Sequence, residues 1–176
     1  MEYHNPVMLN EAIDGLNIKP GGYFIDATFG GGGHSREILK RLKTGKLIAF
    51  DKDKAALKNK IENKHFELLI GDFRHMANTV SEFVSHPADG LLADLGVSSH
   101  QFDSADRGFS TRFESSLDMR MDIDSELTAR DILATYSEGE LTRVLKDYGE
   151  LRNARRLAKL ISSKRETHNV TTTDGL

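Results

Sequence analysis

Tyr23-Phe24-Ile25-Asp26-Ala27-Thr28-Phe29-Gly30-Gly31-Gly32-Gly33-His34 is the stretch that decides the fold. An apolar run ends in an acid and opens into four consecutive glycines. A helical pattern follows from Ser35 to Lys43, with Ile38, Leu39 and Leu42 on its inner face. Glycine reaches positive φ freely and carries no Cβ, so its N–H groups can come close to a ligand. Strand, glycine turn and helix in this order are how open α/β sheets seat a nucleotide-like cofactor at the carboxyl ends of their strands.

Upstream, Val7, Leu9, Ala12, Ile13 and Leu16 have helical spacing over residues 7–17, and Pro20-Gly21-Gly22 breaks the chain before the first strand. Downstream, Gly45 stops the helix and Lys46 to Asp51 reads as a second strand. Lys54 to Ile61 is expected to be helical, Phe66 to Ile70 a third strand, Phe73 to about Val84 a helix, and Ala88 to Leu95 a fourth strand. This alternation, with strand cores apolar on both faces, predicts a parallel sheet covered by helices, an α/β fold. Residues 97–127 are polar and hold no long periodic element. From Thr128 the pattern is helical only: Thr128–Tyr136, Glu138–Asp147 and Glu150–Arg165. In the last of these, Leu151, Ala154, Ala158 and Ile161 are expected to form the buried stripe. The domain reading is 1–103 for the cofactor-binding core, 104–127 for a substrate-side loop and 128–176 for a helical insertion.

Composition narrows the chemistry. The chain has 176 residues, 38% of them hydrophobic, and three prolines, which suits a folded core rather than disorder. It contains no cysteine, so disulfides, thiolate zinc sites and cysteine nucleophiles are excluded. The start, Met1 to Pro6, has neither a basic flank nor an apolar core, unlike a signal peptide. No apolar run approaches the roughly 20 residues that span a bilayer. The expectation is a soluble, cytoplasmic protein, in which the Asn169-Val170-Thr171 sequon has no role. The net charge of −3 hides an asymmetry: residues 128–165 hold nine basic against five acidic side chains. Such a patch can face phosphates.

Asp26, Asp51 and Asp94 fall at or just after expected strand ends, and Asp72 follows the third strand. Any one of them alone reads equally well as a cap for a turn. Asp51, 18 residues past Gly33, is placed to accept hydrogen bonds from a ribose diol. A dinucleotide fingerprint would space its glycines and put a third inside the first helical turn; here they are contiguous and a bulky residue follows His34-Ser35. The arrangement tilts toward S-adenosylmethionine, with a nicotinamide-dependent oxidoreductase as the competing reading.

The segments Asp26 to Ser35, Phe50-Asp51-Lys52-Asp53, Asp94-Leu95-Gly96-Val97-Ser98-Ser99-His100-Gln101-Phe102-Asp103, Arg107-Gly108-Phe109-Ser110 and Leu117-Asp118-Met119-Arg120-Met121-Asp122, with the opening His4-Asn5-Pro6-Val7, closely resemble one family. It is the bacterial 16S ribosomal RNA (cytosine-N4)-methyltransferases, also called MraW or RsmH. The resemblance implies a Rossmann-like methyltransferase sheet with a helical insertion, and methylation of the N4 amino group of a cytidine in the decoding region of 16S ribosomal RNA, on the small ribosomal subunit. It implies S-adenosyl-L-methionine as donor, with Gly32, Gly33 and His34 at its methionine end, Asp51 on the ribose, Phe73 beside the adenine, and Asp94 and Gln101 closing the site. A homodimer is compatible with this picture, a membrane partner is not.

The chemistry adds one candidate. The lone pair of an exocyclic cytosine amine is delocalised, so the base must be held in line with the methyl group. A carboxylate accepting from the amine raises its nucleophilicity and helps take the departing proton. Asp94 is the best-placed residue for that catalytic role; a purely cofactor-binding role is the alternative. Many amino-group methyltransferases carry a proline-rich tetrapeptide where this chain has Asp94-Leu95-Gly96-Val97. Arg107, Arg112 and Arg120, interleaved with Phe109 and Phe113, suit an unstacked RNA base, or equally an ordered loop packing its own rings. Arg152, Arg155, Arg156 and Lys159 make a basic stripe, either solvated or facing RNA.

The resembled fold has seven strands, and only four are visible here. Gly90-Leu91-Leu92-Ala93 is therefore expected at a sheet edge, and Thr171 to Leu176 reads as the start of a helix. An N-terminal fragment lacking the last strands is the expectation. It keeps open a non-catalytic RNA-binding role.

Overall fold

A computed structural model describes residues 6–84, 86–167 and 170–175. His4 and Asn5 of the opening motif, Asn169 of the sequon and the terminal Leu176 lie outside the described residues. The chain forms two compact units, residues 1–99 and 100–176.

The first unit is built on a four-stranded parallel sheet in the order β3-β2-β1-β4. Its strands are β1 (Tyr23–Asp26), β2 (Lys46–Asp51), β3 (Phe66–Ile70) and β4 (Gly90–Leu92). Register runs Phe24 to Leu47 and to Gly90, and Ala49 to Leu68. Successive side chains of a strand point to opposite faces, and both faces are buried here. Phe24, Leu47, Ala49, Phe66 and Leu68 pack with Ile13 of α1 (Leu9–Gly15) and Ile38 and Leu39 of α2 (Gly33–Arg41). Tyr23, Ile25, Ile48 and Phe50 pack with Met76 and Val80 of α3 (Met76–Val80). Each fully buried aliphatic or aromatic side chain contributes about 1.5–3 kcal/mol. The expected parallel α/β sheet is therefore present. As expected too, β4 lies at an edge of this sheet, paired with β1.

Several elements are shorter than their patterns suggested. The segment expected as a helix from Lys54 is a 3-10 turn over Lys54–Asn59, capped by the Asp53 carboxylate on the Ala55 amide. The helix expected over residues 73–84 resolves into a 3-10 turn at Phe73–His75, capped by Asp72, and the single turn of α3. Capping geometry wins at both places, because i to i+3 bonds close a short segment without a long helix. β4 spans three residues rather than eight, since a strand paired on one side ends where that partner ends. Val7, expected within the first helix, precedes it and is exposed.

The second unit holds α4 (Ser99–Asp103, whose first residue closes the first unit), a 3-10 turn at Ala105–Arg107, α5 (Ala129–Thr135), α6 (Glu138–Asp147) and α7 (Ala154–Lys164). Reciprocal capping boxes, Thr128 with Asp131 and Ser137 with Glu140, start α5 and α6. Leu141, Ala154 and Ala158 are buried where α6 packs on α7. The last helix begins four residues later than its pattern, because Glu150 takes a left-handed φ of 52° and the Leu151 amide returns to the Leu145 carbonyl at 3.1 Å. Leu151 is thereby exposed, not part of the buried stripe.

Thr171–Thr173 pairs back on the loop of the same unit, with a Ser116–Thr172 bridge followed by a turn at Gly175. Among the described residues no helix is long and apolar enough to cross a membrane.

Candidate cofactor site at the carboxyl ends of the strands

The glycine loop is held in place by four side chains. Asp51, last residue of β2, accepts the Gly30 amide at 2.6 Å and the Asp53 amide at 2.7 Å. Asn59 Nδ2 donates to the Gly30 carbonyl at 3.0 Å, and Arg36 donates to the Gly31 carbonyl at 2.6 Å. Asp26, buried at the end of β1, accepts from Ser35 Oγ at 2.6 Å and from the Thr28 amide at 3.1 Å, pinning the first turn of α2 to the strand. Gly30 and Gly32 take φ of 52° and 75°, the left-handed region that side chains disfavour.

The loop delivers the chain into α2 with Gly32 as an N-cap that offers no side chain to the helix. The first-turn amides of α2 thus keep the hydrogen-bonding capacity and partial positive charge that suit a carboxylate. The fit to an S-adenosylmethionine-type ligand rests on that turn and on the space beside it. A Cβ placed on Gly30 or on Gly71, which follows β3, would meet no atom within 4 Å. Phe73 stands two residues further, 38% exposed and outside the buried core.

Gly33 and His34 are less open. A Cβ on Gly33 would fall 2.1 Å from Pro6 Cγ, so the N-terminal segment lies against the first turn of α2. The buried His34 ring places Nε2 3.1 Å from the Val7 carbonyl, which requires the proton on Nε2. The main-chain N–H of His34, rather than that ring nitrogen, is then the group left for a ligand.

The acids divide by environment. Burial pushes the carboxyls of Asp26 and Asp51 above the usual carboxylate range, against the hydrogen bonds each accepts. Asp72 goes the other way: hydrogen bonds from Arg74, and to a lesser degree Lys52, hold it well below that range. Asp72 is thereby a cap and ion-pair partner, with Lys52 Nζ at 3.2 Å and Arg74 at 2.8 Å. Asp94 lies two residues past β4, exposed, with its amide on Thr28 Oγ1 at 2.7 Å. That bond ties the fourth strand end to the glycine-loop strand. Asp26, Asp51 and Asp94 therefore come together at one rim of the sheet.

Sequence reasoning passed over Thr28, Ser35, Arg36 and Asn59, which shape this rim. Thr28 and Ser35 stood inside the glycine-loop motif; Asn59 carries no local signal, being 29 residues from the carbonyl it holds.

Gln101 is buried on α4 in the second unit. In that unit, Arg107 donates to the Arg120 and Met121 carbonyls at 2.8 and 3.0 Å. Arg120 grips Asp118 through two bonds of 2.8 and 2.7 Å and reaches the Ser125 carbonyl. A Cβ on Gly108 would fall 2.3 Å from the Ser116 carbonyl. The two motifs 107–110 and 117–122 are thus one wired loop, and Arg107 and Arg120 work as its scaffold. Arg112 stays exposed, 4.9 Å over the Phe102 ring and 3.5 Å from Asp103. Arg152, Arg155, Arg156 and Lys159 are exposed and form no ion pair among the described residues.

Comparison with known proteins identifies the family. The family model described as the MraW methylase family matches residues 1–176. A protein named ribosomal RNA small subunit methyltransferase H from Christiangramia forsetii is 50% identical across 100% of this chain and 59% of its own length. Its namesake from Flavobacterium johnsoniae is 51% identical over the same shares. That from Bacteroides thetaiotaomicron is 47% identical over 98% of this chain and 57% of its own. The chain spans somewhat under three fifths of the length of these curated relatives. With a family model matched from its first residue to its last, the chain belongs to the MraW methylase family.

Proposed function

We propose that the protein binds S-adenosylmethionine at the carboxyl rim of its sheet and takes part in methylating the N4 amino group of a cytidine in the decoding region of small-subunit 16S ribosomal RNA. The observation that carries this is the uncapped first turn of α2 set beside the Asp51 carboxylate, with open space over Gly30 and Gly71. The names of the relatives, ribosomal RNA small subunit methyltransferase H, support the substrate class.

The roles follow from the groups present. The amides of Gly33 and His34 bind the amino-acid carboxylate of the donor; Gly32, its own amide donated to the Phe29 carbonyl at 2.7 Å, shapes the turn that presents them. Asp51 has acceptor capacity left beyond its bonds to backbone amides, since a carboxylate offers about four acceptor sites, and this takes the ribose hydroxyls. Phe73 offers a ring face to the adenine. When bound, the donor supplies an electrophilic sulfonium methyl group. Asp94, its backbone fixed on Thr28, accepts a hydrogen bond from the cytosine amine and holds the proton that leaves it. Gln101 keeps the closing role that the family resemblance implies. Residues 104–127 serve as the substrate-side loop, with Arg112 and Phe113 as its exposed RNA-facing groups, and 128–176 as a helical insertion. The stripe Arg152, Arg155, Arg156 and Lys159 is its phosphate-facing side.

Titration calorimetry with S-adenosylmethionine and NAD side by side tests the donor: saturable binding of the first alone is expected, and binding of NAD alone contradicts it. Charge reversal at Arg152, Arg155 and Arg156 tests the stripe. The log–log salt slope of RNA binding should fall by about 0.7 for each phosphate no longer neutralised. An unchanged slope removes the stripe from the interface.

A further inference from the structure

The amino ends of the strands hold a second polar cluster that the methyl-transfer reading does not use. A cleft of about 290 Å³ is lined there by Tyr23, Thr44, Lys46, Lys64, His65 and His86, beside the glycines that bracket β1 and β2. None of these lining side chains is a carboxylate. Neither Lys46 nor Lys64 is in an ion pair among the described residues. Lys46 Nζ lies 5.0 Å over the Phe83 ring, which positions the charge without neutralising it. The neighbouring acid, Asp89, is already engaged by the Tyr23 amide at 2.9 Å and by Lys19 at 3.7 Å.

The histidines beside the two lysines are conditional donors. His65 Nδ1 lies 2.8 Å from the Gly45 carbonyl and His86 Nδ1 3.0 Å from the Pro87 carbonyl. Both interactions require an N–H on Nδ1, so Nε2 of each neutral ring is an acceptor and becomes a donor only when the ring is protonated. Among the described residues the Tyr23 hydroxyl, sealed from solvent, has no hydrogen-bond partner, and burial pushes it up to about 12. Two ammonium groups outside any ion pair among the described residues, in a cleft without a carboxylate and beside two imidazoles that gain a second donor when protonated, match an acceptor-only, doubly charged ligand.

We propose that this cleft binds a phosphate group, with Lys46 and Lys64 as its charge-bearing ligands and Tyr23 and the two histidines around it. The inference does not rest on methyl transfer. The phosphate comes either from an RNA backbone or from a free phosphate compound.

Ring-proton NMR shifts of His65 and His86 separate the sources as inorganic phosphate, pyrophosphate or a short single-stranded RNA is added. Saturable shifts of both rings with phosphate or pyrophosphate are expected, weakened at least about tenfold in the Lys46→Gln/Lys64→Gln variant, a change of about 1.4 kcal/mol. Shifts with RNA alone, lost in that variant, place a backbone phosphodiester in the cleft. No shift in any arm, or equal shifts in wild type and variant, overturns the site. The exposed single variant Lys64→Gln guards against misfolding and should show part of the loss. S-adenosylmethionine binding should be unchanged in both variants, so failure of the donor reading registers separately.

Discussion

The two rims of the sheet carry their glycines for opposite reasons. At the amino rim glycine is required by the protein itself: a Cβ on Gly45 would fall 1.9 Å from the Gly22 carbonyl, and one on Gly22 would meet the Phe24 ring at 2.7 Å. At the carboxyl rim, Gly30 and Gly71 face open space, while Gly32 and Gly33 between them are packed by Phe29 and Pro6. Charge divides along the same line. Buried or strand-end acids, Asp26, Asp51 and Asp94, gather at the carboxyl rim; Lys46, Lys64, His65 and His86 gather at the other. Close packing thus explains the amino-rim glycines, packing and positive φ explain Gly30, Gly32 and Gly33, and Gly71 is left to be explained by something that binds.

The sharpest way to break this contrast is Gly45→Ala. Its Cβ would overlap backbone rather than a movable side chain, so stability should fall by about 3 kcal/mol or more, at the upper end for overpacking. Denaturant titration reads it, and a loss below about 1 kcal/mol means that the amino rim has slack. Asp51→Ala comes next. Removing two charge-assisted hydrogen bonds to the donor's ribose should weaken S-adenosylmethionine binding about 100-fold or more, at about 1.5–3 kcal/mol each. Calorimetry on protein shown to be folded measures this, and unchanged affinity removes Asp51 from the site. Gly71→Ala separates space from packing: stability should stay within about 0.5 kcal/mol, while donor affinity falls about tenfold. Loss of stability with unchanged affinity would reverse the assignment of that rim.

The smallest effect is on pH. Burial raises the Asp51 carboxyl, and hydrogen bonds from ribose hydroxyls favour its ionised form. Donor affinity should therefore decline several-fold as pH falls from neutral through that raised value, and Asp51→Ala should flatten the dependence. For folding the sign is opposite. Groups whose native carboxyl is raised, Asp26 and Asp51, destabilise the native state above the unfolded value, and the penalty is relieved as pH drops through the native one. Asp72 and Asp118, held low by Arg74 and Arg120, lose their contribution only on acidification below the ordinary range.

Much of this was legible beforehand where side-chain period and chain breaks coincide. Strands β2 and β3 and helix α6 begin and end where their patterns do, because Gly45, Gly71 and Ser137 punctuate them. The 3-10 turns after Asp53 and Asp72 were less legible, since the same aspartate caps a short turn or a long helix. Rim residues split likewise. Asp51 and the glycines announced themselves by position, whereas Asn59 and Arg36 act on loop carbonyls across the fold. Arg107 and Arg120, read equally for an RNA base or for an ordered loop, turn inward, because arginine's five donors serve a loop's own carbonyls.

Backbone hydrogen–deuterium exchange with and without S-adenosylmethionine tests the division of the rims most directly. Protection should concentrate in residues 29–35, 50–54 and 70–75, with residues 20–23, 43–46 and 63–66 unaffected. Protection confined to the second set, or shared equally between the two, contradicts a donor site at the carboxyl ends of the strands.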